Sequence, residues 1–156
     1  MDIACLDSSA FFKLYRSEIG SNWLKAFVSG KKIAISQLAL VEVATIIGRL
    51  YREGVYTRDE AVNFYNLIFS ERRKYTVYPL GSNAQIQGVV SVTFDLPINV
   101  GVRALDGIYL SVAKIIQDEA NLQTLKTPLI FVTADKNLVK AAWAAGFVVE
   151  NPNDYP

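Results

Sequence analysis

The chain has 156 residues, 51% hydrophobic and 20% charged, with a formal net charge of +1. That balance fits one domain with a continuous core, and it offers no global basic field toward nucleic acid, although an acidic site and a basic rim would cancel in such a total. Histidine is absent and Cys5 is the only cysteine, which excludes Ser-His-Asp and Cys-His catalysis, paired-histidine cleavage of RNA and an intramolecular disulfide.

The same absence makes zinc a poor candidate and leaves oxygen ligands, which suit hard cations such as Mg2+ or Mn2+. Cys5 lies in an apolar run and reads as an inert buried thiol. No apolar segment is long enough to span a bilayer, and the N-terminus lacks a basic region followed by a long apolar stretch. A cytoplasmic location without membrane contact is the expectation.

In chain order, Ile3 to Leu6 reads as a buried strand that turns at Asp7-Ser8-Ser9 into a helix over Ala10 to Tyr15. Ser21 to Val28 is a short amphipathic helix closed by Ser29-Gly30, and Ile33 to Ser36 is the next strand. A helix over Leu38 to Arg52 has Leu38, Val41, Thr45 and Ile46 at helical spacing, with Glu42 beside that stripe and Gly54 as the stop. Thr57-Arg58-Asp59-Glu60 forms a capping box opening a helix to about Lys74, and Val77 to Leu80 reads as a strand.

Asn83 to Phe94 is a further helix, followed by a loop holding Pro97 and Gly101. Ala104 to Asn121 is a strong helix with Leu105, Ile108, Val112 and Ile115 expected on its inner face. Leu129 to Val132 is a strand between Pro128 and Thr133-Ala134-Asp135; a helix from Lys136 to Ala145 ends at Gly146, and Phe147 to Val149 is the last strand. Short apolar strands alternating with helices, without hairpin signals, predict a three-layer α/β/α sandwich with a central, mainly parallel sheet of four to five strands, in a single domain over 1–156.

Four acids stand out in this pattern: Asp7, Glu42, Asp106 and Asp135. An acid inside an apolar run is costly unless something compensates it. Asp7 and Asp135 directly follow candidate strands, and in open parallel sheets ligands bind outside the carboxyl ends of the strands. Glu42 starts the second turn of its helix and Asp106 lies near the start of its own, both carried over the same edge. Two carboxylates about 5 Å apart repel by roughly 3 kcal/mol at an effective dielectric of about 20, so such a cluster calls for a divalent cation, or for a proton on one member. With Mg2+ or Mn2+ bound, metal-assisted attack of water on a phosphodiester is the chemistry expected.

The segments Leu6-Asp7-Ser8-Ser9-Ala10-Phe11-Phe12-Lys13-Leu14-Tyr15, Leu40-Val41-Glu42-Val43, Arg103-Ala104-Leu105-Asp106-Gly107-Ile108-Tyr109-Leu110 and Val132-Thr133-Ala134-Asp135-Lys136 occur in the order and at the spacing of a known family. In these the chain resembles PIN-domain ribonucleases, most closely the VapC-type toxins of type II toxin–antitoxin modules. The resemblance implies a PIN-like fold, metal-dependent endonucleolytic cleavage of RNA, a homodimer and a small antitoxin that occludes the site. It implies that Asp7 and Asp106 are the principal metal ligands, that Glu42 and Asp135 complete the site, and that Ser9 and Thr133 hold the acidic loops or metal-bound water. Tyr109 departs from the histidine that many relatives carry after the third acid.

Each residue also has an ordinary explanation. Asp7 and Asp135 suit helix N-caps, Glu42 a solvated rim, and Asp106 a first-turn partner of the helix dipole or of Arg103. Ser9 and Thr133 are common caps, and Tyr109 suits packing. Lys13, Arg16 and Lys136 sit near the acidic loops and are candidates for RNA contact; Arg72-Arg73-Lys74 suits a solvated helix end. Among other functions, a metal-dependent adhesion module would need a serine where Phe11 stands, and a receiver domain would need a central phosphoacceptor and a late lysine. A PIN nuclease of RNA processing without an antitoxin, or an inactive PIN-fold binding module, are the nearer alternatives.

Overall fold

A computed structural model describes residues 1–122 and 127–155. Five short strands, β1 (Ile3–Leu6), β2 (Lys32–Ser36), β3 (Thr76–Tyr78), β4 (Leu129–Val132) and β5 (Val148–Glu150), form one sheet in the order β3-β2-β1-β4-β5. Every pairing is parallel, with Leu6 opposite both Ile35 and Val132. In β1 the consecutive residues Ala4, Cys5 and Leu6 are all buried. Because successive strand residues point to opposite faces, both faces of the sheet are covered, as the α/β/α sandwich requires. Burial pushes the Cys5 thiol far above its ordinary range, consistent with an inert packing role.

The connections are α1 (Ser8–Lys13), α2 (Ser21–Val28), α3 (Gln37–Arg52), α4 (Arg58–Glu71), α5 (Asn83–Asp95), α6 (Ala104–Asn121) and α7 (Lys136–Ala144). Local chemistry starts most of them. The Asp7, Ser36, Ser82 and Asp135 side chains each accept from a first-turn N–H, and Thr57 with Glu60 makes a complete capping box. Among the described residues no helix is long and apolar enough to cross a membrane.

The sequence pattern misplaces some faces. In α3 the buried residues are Leu38, Ala39, Leu40, Val43, Ile47 and Leu50, whereas Val41 is exposed and Thr45 faces water. In α6 the inner residues are Tyr109, Leu110, Val112, Ala113, Ile116 and Ala120, while Leu105 is exposed. Both helices are enclosed on more than one side: α3 meets α1, α4 and β2, and α6 meets α5, β2 and β4. Their buried sector is therefore wider than a single stripe and is centred elsewhere. The helix expected to reach Lys74 ends at Glu71, and Arg72–Lys74 tightens into a 3-10 turn. There Arg72 stacks over Phe69 and Lys74 pairs with Glu71 at 2.7 Å, while Arg73 is exposed, as a solvated helix end requires.

The chain runs β1, β2, β3 outward on one side and then returns to place β4 and β5 on the other. The order reverses between β1 and β4, and their carboxyl ends open the crevice that such a switch point creates. Elsewhere, Gly20 has φ +81° and a Cβ there would lie 2.0 Å from the Pro152 carbonyl oxygen. Gly20→Ala should destabilise the protein by more than about 2 kcal/mol, measured by urea unfolding; a loss within error would contradict this close approach.

Candidate metal centre at the carboxyl edge of the sheet

Asp7 follows the last residue of β1, and its N–H donates to the Val132 carbonyl of β4 at 3.2 Å, fixing it at the switch point. The residue is only 3% exposed. Three donors satisfy the carboxylate: Thr133 Oγ1 at 2.7 Å, Ser9 Oγ at 2.8 Å and the Ala10 N–H at 2.9 Å. Both hydroxyls are relays. Thr133 Oγ1 accepts from the Asp135 N–H at 3.1 Å, and Ser9 Oγ accepts from the Ala134 N–H at 2.9 Å. The loop after β4 is thus bound through two hydroxyls to the acid after β1.

Burial raises the Asp7 pKa to about 6, and the charge of Glu42 adds to the rise, against the lowering effect of the Thr133, Ala10 and Ser9 hydrogen bonds. Glu42, on the second turn of α3, accepts a 2.5 Å hydrogen bond from the Tyr109 hydroxyl. Tyr109 is buried on α6, so the phenol ties the second acid to the helix carrying the third. Burial first, and then the bond to Glu42, raise the Tyr109 pKa, keeping the hydroxyl protonated as a donor.

Asp106 and Asp135 are joined by Arg103. The guanidinium donates to Asp106 at 2.7 Å through Nε and to Asp135 at 2.8 Å through Nη2. Burial would raise the Asp135 pKa, but the Asn137 and Leu138 N–H groups, with Arg103, outweigh it and hold the carboxyl below its usual range. All four acids therefore lie on one edge, connected through Thr133, Ser9, Tyr109 and Arg103. Three of the ordinary explanations hold at the same time: Asp7 and Asp135 are N-caps and Asp106 pairs with Arg103.

Of the lysine and arginine candidates, Lys13 is buried, with Nζ donating to the Ile19 carbonyl at 2.9 Å and to Glu18 at 3.4 Å. That engagement removes it from the surface expected of an RNA contact, because a helix-end lysine has turned inward to satisfy a loop carbonyl. Arg16 is half-buried near Glu18, 3.7 Å away, and Lys136 is exposed. What the sequence did not reveal was the reach of Arg103 to Asp135, 32 positions away, and the bond from Tyr109 to Glu42. Only the pairing of Arg103 with Asp106 had a local signal, the i,i+3 spacing.

The donor set is all oxygen and suits a hard divalent cation in kind. As arranged, no three of these acids among the described residues stand close enough together to hold a metal ion. A guanidinium already spans two of them, a positive charge where the acids call for one.

No protein-family model and no curated protein sequence matches the chain. Solved structures do. FitAcB from Neisseria gonorrhoeae is similar with a TM-score of 0.69 at 15% identity, over 96% of this chain and 97% of the other. A toxin–antitoxin complex from Klebsiella pneumoniae follows with a TM-score of 0.62 at 13% identity, over 96% and 97%. VapBC2 from Rickettsia felis, bound to a DNA fragment from its promoter, has a TM-score of 0.61 at 16% identity, over 96% and 98%. The chain therefore has the PIN-like fold that its motifs resemble.

The raised pKa of Asp7 has a consequence for stability. The folded value lies above the unfolded one, so this group's contribution is complete below about pH 4 and is lost as pH rises through about 6. Without metal, Asp7→Asn should abolish that loss and leave the variant more stable than the parent at pH 7, by at most about 3 kcal/mol. Urea unfolding of both proteins at pH 4.5 and pH 7 measures the difference; an equal gap at the two pH values would contradict the assigned burial.

Proposed function

We propose that this protein is a divalent-cation-dependent endoribonuclease, the toxin of a toxin–antitoxin pair. The observation that carries this reading is the convergence of Asp7, Glu42, Asp106 and Asp135 on the switch-point edge, with Asp7 buried and its carboxylate costly to ionise. Asp7 and Asp106 would hold Mg2+ or Mn2+, with Glu42 and Asp135 completing the site. When bound, the cation supplies a more acidic water, charge neutralisation at the phosphate and stabilisation of the leaving oxygen.

The rest of the work falls to the chain's own residues. Thr133 and Ser9 orient the Asp7 carboxylate, Tyr109 fixes that of Glu42, and the N–H groups that begin α7 fix that of Asp135. Preset orientation of this kind lowers the cost of assembling the site around a cation. Beside Asp106 a cleft of about 330 Å³ is lined by Asn99, Arg103, Asn137 and Lys140. Its cations and amides suit a phosphate backbone. Arg16 and Lys136 remain the rim candidates for RNA.

Structural similarity to a toxin–antitoxin complex from Klebsiella pneumoniae supports an antitoxin partner; a homodimer and a cytoplasmic role are what the resemblance of its motifs to VapC-type toxins implies. One observation favours a second reading, a PIN-fold binding module without catalysis: the acids as arranged form no group of three. The two readings separate in one assay. Purified protein with Mn2+ or Mg2+ should cut single-stranded RNA internally, and EDTA should stop it. Asp7→Asn and Asp106→Asn should remain folded and lose at least about 100-fold in rate. Full activity in both folded variants, or none in the parent with either metal, would overturn the nuclease reading.

A further inference from the structure

Arg103 is the N-cap residue of α6, yet its side chain caps nothing. Asp106 stands three residues on, where an acid commonly reaches back to the N-cap N–H. The same chain builds that device fully at α4 with Thr57 and Glu60. At α6 the Asp106 carboxylate instead takes two hydrogen bonds from the Arg103 guanidinium, at 2.7 and 3.4 Å, and a third from the same group goes to Asp135. The start of α6 thus forgoes a stronger cap, and its two residues face the acidic edge. Exposure differs sharply within the pair: the Arg103 side chain is 69% exposed and that of Asp106 13%. A largely hydrated guanidinium binds a carboxylate weakly and can leave at little cost, whereas the carboxylate is largely screened from water. The polar cleft beside it, lined by Asn99, Asn137 and Lys140, gives the released side chain room.

We propose that Arg103 is a tethered counter-cation that bridges Asp106 and Asp135 in the metal-free protein and must be displaced from Asp106 when a divalent cation binds. This rests on the reading of these acids as a metal centre. Arg103 is then a positioning residue that sets the cation affinity of the site: it holds two like charges together while the site is empty, and it competes for one of them when the cation arrives. The competition is why the acids can lie on one edge without standing as a ready-made cage.

Mn2+ titration by calorimetry, without RNA, tests the proposal. Arg103→Gln should bind Mn2+ roughly three- to fivefold more tightly than the parent, with Arg103→Lys between them, because lysine keeps the charge but not the bridging fork. Adding Asp106→Asn to Arg103→Gln should erase the gain. Thermal melts supply a second readout: Arg103→Gln should melt lower than the parent without metal and gain more from saturating Mn2+. Binding in Arg103→Gln that is unchanged, weaker or absent would overturn the proposal, since a purely structural arginine would lower the melt without tightening Mn2+. If the parent cuts RNA but Arg103→Gln shows no gain, the proposal fails and the nuclease reading stands. If Arg103→Gln shows the gain but the parent cuts no RNA, the proposal stands and the nuclease reading fails.

Discussion

The carboxyl edge of this sheet depends on keeping one carboxylate, Asp7, in a place that water scarcely reaches. A buried anion is costly unless fully hydrogen-bonded, and the neighbouring segments supply the donors. Thr133 and Ser9 each give a hydroxyl proton to Asp7 and accept a backbone N–H from the loop after β4. Satisfying one acid therefore fixes the path of the loop that carries another, Asp135. The hydrogen bonds do not cancel the burial, because the Asp7 pKa remains raised, to about 6. The site keeps an unmet demand for positive charge.

That demand links fold to chemistry. The reversal of strand order between β1 and β4 opens a crevice, and the two strands ending there deliver Asp7 and Asp135. Helices α3 and α6 bring Glu42 and Asp106 to the same edge, joined through the Tyr109 hydroxyl and the Arg103 guanidinium. Both ties are neutral or positive donors on negative acceptors, so the metal-free edge can fold without large internal repulsion. A cation would replace a weak, hydrated guanidinium contact with a stronger one at a position already shaped for it.

Much of this was legible from residue order alone. Strands of buried aliphatic residues, interrupted by helices with Ser, Thr or Asp at their starts, announce a parallel sheet with acids at its carboxyl edge. Asp7 and Asp135 could be placed because Asp7 directly follows β1 and Asp135 lies in the short turn just after β4. The inner faces of α3 and α6 could not, because helices packed on several sides bury a broad sector that no single stripe describes; Val41 and Leu105 were misassigned for that reason. Lys13 looked like a surface cation because a sequence does not show that the turn at Ile19 will fold back and offer a carbonyl to its ammonium. The reach of Arg103 to Asp135 is a tertiary contact with no sequence period, and Tyr109 as donor to Glu42 is hidden by its equally good fit as packing.

The most direct test of a cation centre at this edge is a crystal grown with Mn2+ and measured for anomalous scattering. The account requires an anomalous peak bound by the Asp7 and Asp106 carboxylates, with the Arg103 guanidinium moved off Asp106. A crystal with Mn2+ at saturating concentration, no peak at these carboxylates and Arg103 still bridging Asp106 and Asp135 would contradict it.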